Sequence, residues 1–239
     1  MPGLIVNLNG LAVLRNSKES TYPDPAAGAV LAELGGACGI SVHYHPTHPQ
    51  ITERDLRILK EMVHGELIMG MAPTSEMMGM ALDIKPDGVT LMQANAANRQ
   101  TPSTVDLILE QKELDDIVAN IQGSGIPVSI LVEPDPDQIK SAHRLNVDGV
   151  QIHTGAFGLT VDPVNRRRRL ARILDASKLA AKLKLRVTAG CGLNYGTVPP
   201  LSTIQEIDAC VIGHGIIARA LFTGLESAVR EMVIQLDRS

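Results

Sequence analysis

Tryptophan is absent from this 239-residue chain and aromatics make up only 2% of it, leaving few flat side chains on which bases could stack. Net charge is also small. The 22 Lys and Arg against 26 Asp and Glu give a formal -4, which provides no basic footprint for a nucleic acid. No apolar run approaches the roughly 18 residues that a membrane span needs. The opening MPGLIVNLNG lacks the basic-then-apolar layout of a signal peptide. Three widely spaced cysteines, Cys38, Cys191 and Cys210, make neither a disulfide framework nor a zinc knuckle. These absences lead us to expect a cytoplasmic protein with no nucleic-acid or membrane partner.

What the chain does have is apolar bulk, 44% of its residues, arranged in a regular alternation. Short apolar runs at 4–8, 39–44, 66–71, 88–93, 127–132, 149–154, 185–190 and 209–213 read as strands buried on both faces. Helical segments lie between them. DPAAGAVLAELGG places Pro25 in a first turn and ends in two glycines, and ITERDLRILKEMV offers Thr52 as a cap with Asp55 three residues on. APTSEMMGMALDI, DPDQIKSAHRLN and the 163–183 segment repeat the theme. Eight strands alternating with helices predict one (β/α)₈ TIM barrel over 1–239, with extra helices. A doubly wound open sheet is the alternative, but its dinucleotide fingerprint should follow the first strand, where only NLNGLA stands. The polar stretch opening at Gln93 is expected to form an active-site loop over 93–103 and to turn helical near Thr104. Arg166 to Arg169 are read as a solvated helix face or a subunit contact. The methionines at 69, 71, 77, 78 and 80 are read as adaptable packing.

Barrel chemistry collects where strands end. That rule puts Asn7, Asn9, His43, His45, Gly70, Gln93, His153, Thr154, Cys191, Gly213 and His214 on one rim, with Glu133 as the nearest acid. Two glycine-opened turns, LRVTAGCGLNYGTV at 185–198 and IGHGIIARALFTG at 212–224, offer a cradle for a phosphate. His43 is the best general-base candidate, because imidazole carries protons near neutrality. Cys191, between two glycines, is a candidate nucleophile as well as a candidate packing residue, whereas Cys38 and Cys210 read as structural. The H-x-H-x-x-H run from His43 to His48 has ligand types for Zn²⁺, yet Pro46 and Pro49 make it an irregular loop. No metal and no cofactor is expected.

Taken together, NLNGLAVLRN, TYPDP, SVHYHP, MGMAPTSEM, IKPDGVTL, IHTG, TAGCGLNY and IGHGIIARA resemble the pyridoxine 5′-phosphate synthase family, in order and through essentially the whole chain. The resemblance implies a (β/α)₈ barrel with added helices and assembly into a homo-oligomer, octamers being common. It also implies condensation of 1-deoxy-D-xylulose 5-phosphate with 3-amino-2-oxopropyl phosphate. His43 then matches the family's proton acceptor. Asn7 and Gly192 match residues that orient substrate, and Gly213 and His214 match phosphate contacts. Other positions depart from the pattern. The family's NIDH is Asn7-Leu8-Asn9-Gly10 in this chain, and Lys18 and His45 stand where arginines help hold substrate. Gln50 replaces a histidine. Gly70 and Gln151 replace two glutamates, and Cys191 replaces the second catalytic histidine. The expected function is that of a diverged synthase-like protein acting on small phosphorylated carbonyl metabolites. Two alternatives are a different condensation or lyase-type enzyme using Cys191 and His43, and a non-catalytic protein that binds phosphorylated metabolites or serves assembly.

Overall fold

A computed structural model describes residues 1–18, 20–47, 50–93, 103–105, 107 and 111–237. Eight parallel strands close on themselves in sequence order: β1 (Gly3–Asn7), β2 (Gly39–His43), β3 (Glu66–Met71), β4 (Gly88–Leu91), β5 (Val128–Val132), β6 (Gly149–His153), β7 (Arg186–Gly190) and β8 (Ala209–Ile212). Closure comes from β1 pairing with β8, Leu4 opposite Cys210 and Val6 opposite Ile212. Each of the eight expected runs is a strand, with ends shifted by a residue or two. The barrel is the expected (β/α)₈ fold.

Alternation along the strands decides what faces the helices and what faces the barrel axis. Leu4, Val6, Ile40, Val42, Leu67, Met69, Val89, Val150, Val187 and Ile212 join the large core between barrel and helices. Ile5, Ala209 and Val211, with Ile68 against them, form a separate small cluster inside the barrel. Thr90, Ser129, Gln151 and Thr188 share the interior with it, around a cavity of about 50 Å³.

The helices start where the sequence supplies caps. The chain uses Asp-Pro three times for this purpose. Asp24 caps α2 (Pro25–Leu34), Asp135 caps α6 (Pro136–Arg144) and Asp162 caps α8 (Pro163–Lys182), each with proline in the first turn. Thr74 caps α4 (Ser75–Ile84). At α3 (Glu53–Met62), Thr52 and Asp55 form a reciprocal capping box, with Asp55 in place of the usual Glu or Gln. Additional helices complete the shell: α1 (Asn9–Asn16) directly after β1, α5 (Gln111–Gly123), the single turns α7 (Gly155–Gly158) and α9 (Pro199–Ser202), α10 (His214–Thr223) and α11 (Leu225–Asp237).

Two expectations are corrected. Thr104 and Val105 are not helical, and α5 begins at Gln111. Ser103 pairs antiparallel with Gln93 and the Val105 amide reaches the Leu131 carbonyl at 3.4 Å, so this segment bonds to strands instead of to itself. The rest of the expected 93–103 loop, residues 94–102, lies outside the described residues. Cys38 is exposed in the turn before β2, its thiol donating to the Leu4 carbonyl at 3.3 Å, whereas Cys210 is buried as expected. Met69, Met71 and Met77 are buried, with Met78 and Met80 packed against the same core.

One buried ion pair ties the extra helix α1 to the barrel mouth. Arg15 reaches both carboxylate oxygens of Asp55 at 2.8 Å and also donates to the Gln50 carbonyl at 3.0 Å. The two residues are 7% and 2% exposed, so loss of one partner strands the other charge away from water. Burial would raise the Asp55 pKa, but bonds from Arg15 and Thr52 outweigh it and hold the carboxyl below its ordinary value. Asp55→Asn should therefore destabilise the protein by about 3 kcal/mol in denaturant unfolding at neutral pH. The difference from the parent should shrink as pH falls through the folded-state pKa of Asp55, because the depressed carboxylate contributes its stability only while ionised.

Candidate active site

The C-terminal ends of the strands form one mouth, and its residues follow from the inward alternation. β1 delivers Asn7, β2 His43, β3 Gly70, β6 His153 and β7 Gly190, while Cys191 and Gly213 lie just beyond β7 and β8. On the β1–β2 side an amide cluster is closed. Asn9 accepts from the His43 amide at 2.7 Å and donates to the His43 carbonyl at 2.9 Å and to Gln50 Oε1 at 3.1 Å. Asn7 donates to Asn9 Oδ1 and to Ser41 Oγ, both at 3.3 Å. Asn9 thus grips the backbone of His43, and Asn7 braces Asn9.

His43 occupies the space that a larger residue at position 70 would need. A β-carbon on Gly70 would lie 2.5 Å from His43 Cδ2 and 2.8 Å from Met92 Cε. A glutamate side chain cannot be added there without displacing the ring. The same packing desolvates the imidazole and pushes its pKa down to about 4. His43 is then a free base at neutral pH, but one with little tendency to hold a proton. Gln151 lies a layer deeper, lining a cavity of about 50 Å³ with Thr90, Ser129 and Thr188 in the lower barrel. An amide suits that 4%-exposed position better than an unpaired carboxylate would.

The β5–β7 side carries the titratable groups. Strand register sets His153 opposite Gly190 and places Glu133 one residue past Val132, the partner of Ile152. Glu133 Oε1 approaches His153 Nδ1 to 3.3 Å, although that buried nitrogen has no aligned hydrogen bond. Cys191 follows an inward-facing glycine, so a regular strand would turn its side chain outward. Its φ of +74° breaks the alternation one residue past Gly190, the strand partner of His153. Burial alone would lower the His153 pKa, but Cys191 and the Glu133 carboxylate outweigh it and raise the value to about 10. Thr154 fixes the bend, its hydroxyl 2.7 Å from both the Gly190 and Cys191 carbonyls. Gly192, at φ +72°, continues the left-handed turn, and a β-carbon on Gly158 would sit 2.2 Å from the Gly192 carbonyl oxygen. Only glycine meets both demands.

The remaining expected residues distribute unevenly. Gly213 caps α10 without a side-chain hydrogen bond and abuts Asn7, a β-carbon on it lying 3.1 Å from Asn7 Oδ1. His214 opens α10 and is exposed. Gly215 touches the β7 loop, its β-carbon position 2.7 Å from the Leu193 carbonyl oxygen. Lys18 is exposed in the connection after α1, and His45 bonds Thr47 at 3.1 Å in the β2 loop. His48 lies outside the described residues. Among the described residues, no group of three His, Cys, Asp or Glu side chains is disposed to hold a metal ion. The sequence offered His43 as a partner of Cys191 or as an independent base, whereas strand register sets Cys191 one residue past Gly190, the partner of His153. The signal was present in the spacing, since Glu133 and Cys191 follow the ends of the two strands flanking the one that ends in His153.

The model of the family described as Pyridoxal phosphate biosynthesis protein PdxJ matches residues 4–238. Pyridoxine 5′-phosphate synthase of Desulforapulum autotrophicum is 43% identical over 233 residues, 98% of each chain. The synthase of Synechococcus sp. is 41% identical over 232 residues, 97% of each. Among solved structures, the tryptophan synthase α-subunit of Pyrococcus furiosus aligns with a TM-score of 0.62 at 12% identity over 97% of both chains. Phosphoribosylanthranilate isomerase of Thermotoga maritima aligns at 0.61 and 14% over 99% of both. At such identities the shared property is the barrel.

The environment of His43 has a measurable consequence. Its folded pKa of about 4 lies below the ordinary 6.5, so on acidification the unfolded chain takes up this proton first. The stability that His43 contributes should fall as pH drops from about 6.5 to about 4 and then level off. Proton NMR should show the His43 ring in its neutral form at about pH 5. His43→Gln should remove that part of the acid sensitivity in unfolding experiments.

Proposed function

The chain belongs to the pyridoxine 5′-phosphate synthase family, and from that premise we propose that it binds small phosphorylated carbonyl metabolites at the C-terminal mouth of the barrel and acts on them as a diverged synthase. The observation that carries this reading is the start of α10. Its N-terminus has no side-chain cap, opens on glycine, and lies between Asn7 and the loop after β7. Unpaired amides and the positive end of a ten-residue helix there suit a phosphate group. In this reading Gly213 and His214 hold the phosphate, while Asn7 and Gly192 orient the rest of the molecule. Asn9 keeps His43 in place, and Lys18 and His45 supply outer contacts to an anionic substrate. His43, neutral at pH 7, accepts a proton from the carbon beside the carbonyl as the carbon–carbon bond is prepared.

Divergence is supported by the packing around Gly70. The space is filled by His43 and Met92, so a family carboxylate is missing and its place is not held open. Losing one acid–base group costs roughly a hundredfold or more in rate, and groups that act as a unit do not add. Assembly into a homo-oligomer is part of the proposal, with light scattering on the purified protein as its check. Among the described residues, no helix is long and apolar enough to cross a membrane.

The test supplies 1-deoxy-D-xylulose 5-phosphate and 3-amino-2-oxopropyl phosphate and detects pyridoxine 5′-phosphate by mass spectrometry. We expect multiple-turnover product at a rate reduced by about a hundredfold or more against a relative with the full residue set. His43→Ala should lower it further. Saturable binding of both phosphates without product would leave a binding protein. Absence of binding as well would sink the reading.

A further inference from the structure

Glu133, His153 and Cys191 occupy the ends of three successive strands, and the synthase reading leaves all three without a task. Their arrangement has the parts of an activated nucleophile. A thiol follows Gly190, the strand partner of His153, and a carboxylate oxygen lies 3.3 Å from Nδ1 of that imidazole. The thiol sits at the bend where a strand ends, in a left-handed conformation at φ +74° that ordinarily favours glycine. Thr154 holds that bend through two 2.7 Å bonds. Cys210, by contrast, is buried with its pKa raised to about 12 by desolvation, and Cys38 is exposed in the turn before β2, at the opposite end of that strand from the mouth. Among the three cysteines, only Cys191 has an imidazole neighbour.

We propose that Cys191, His153 and Glu133 form a thiol nucleophile site in which Cys191 adds to the carbonyl carbon of a phosphorylated ketone or aldehyde. Cys191 gives up its thiol proton to solvent, and the sulfur lone pair forms a bond to the carbonyl carbon. The π pair of the C=O bond moves to oxygen, and the His153 imidazolium donates its proton to that oxygen and takes one back from solvent. The product is a hemithioacetal. No oxidant, reductant or leaving group is required. Glu133 acts through the ring as a positioning residue, its carboxylate 3.3 Å from Nδ1 favouring the imidazolium. The titratable groups acting on the His153 ring are these two neighbours, and together they raise its pKa to about 10 against the opposing effect of burial. The ring therefore holds a proton at neutral pH and serves as the acid in this step. The substrate class rests on the phosphate reading above, because the first turn of α10 touches the Leu193–Asn194 stretch just beyond Cys191. A phosphate bound there leaves the carbonyl of a short sugar phosphate beside the sulfur.

Two readouts on the full-length protein separate this proposal from the phosphate reading. The first needs no ligand. Iodoacetamide labelling at about pH 6.5, followed by peptide mass spectrometry, should modify Cys191 at least about tenfold faster than Cys38 in the same sample. His153→Gln should bring Cys191 down to the Cys38 rate. Glu133→Gln, at a half-exposed position that tolerates the change, should give an intermediate rate and a shifted pH profile. The second readout uses dihydroxyacetone phosphate carrying ¹³C at its carbonyl. Bound ligand should show a new tetrahedral-carbon signal, absent in Cys191→Ser, while phosphorus NMR shows phosphate binding retained in that variant. Cys191 labelling no faster than Cys38 and indifferent to both substitutions would overturn the nucleophile, whatever the ligand does. Phosphate binding that persists in that case would leave the function proposed above standing. Loss of ligand binding with a rapidly labelled Cys191 would instead strike at the phosphate reading.

Discussion

Closure of β1 onto β8 is the constraint from which the remainder of the molecule follows. Once Leu4 pairs with Cys210 and Val6 with Ile212, every strand must send alternate residues inward. The interior holds a small apolar cluster of Ile5, Ile68, Ala209 and Val211 beside Thr90, Ser129, Gln151 and Thr188, which are polar but uncharged. The histidines of the same inward phase stand at the C-terminal end. The mouth is not assembled by loops alone. It is what remains of the inward phase above that cluster: Asn7, His43, Gly70, His153 and Gly190.

Within that mouth the two histidines are driven in opposite directions. His43 packs against Gly70 and Met92 with no ionisable neighbour acting on it, and desolvation takes its pKa to about 4. His153 is also buried, yet Cys191 and Glu133 reverse the outcome and raise it to about 10. At pH 7 one ring is a neutral acceptor and the other holds a proton. A pair of like groups whose environments push their pKa values apart is a common basis for dividing acid and base roles. The chain recreates such a division with a residue set in which glycine and glutamine stand at two carboxylate positions of the family.

Much of this architecture can be read from the sequence because it depends on local rules. Apolar runs of four to six residues give the strands, and Asp-Pro pairs and Thr52 with Asp55 mark helix starts from residues within one turn. The helix expected near Thr104 fails because Ser103 bridges back to Gln93 and the Val105 amide bonds Leu131 on β5, pairings that propensity does not register. The rim residues are likewise visible as strand ends, but their pairing is not. Cys191 meets His153 and not His43 because β6 and β7 are neighbours in the sheet while β2 lies across the barrel. The role of Asn9 is also tertiary. It resembles a substrate ligand in the sequence, and in the structure both ends of its amide are engaged with His43 and Gln50.

The bend at Cys191 gives the clearest case for chemistry over packing. A non-glycine residue in the left-handed region costs on the order of 1 kcal/mol or more. Glycines flank it on both sides, so the chain has the residue type that would relieve the strain, and does not use it at the bend itself. Thr154 instead commits its hydroxyl to hold the strained geometry. A cysteine kept only for its volume would gain nothing from this conformation, since its side chain is half-buried and not part of the core. What the conformation does supply is a bend at the mouth, one residue past the strand partner of His153. Strain held at this bend, beside the strand that brings His153 and with Glu133 on that strand's other side, fits the proposed reacting thiol better than a packing one.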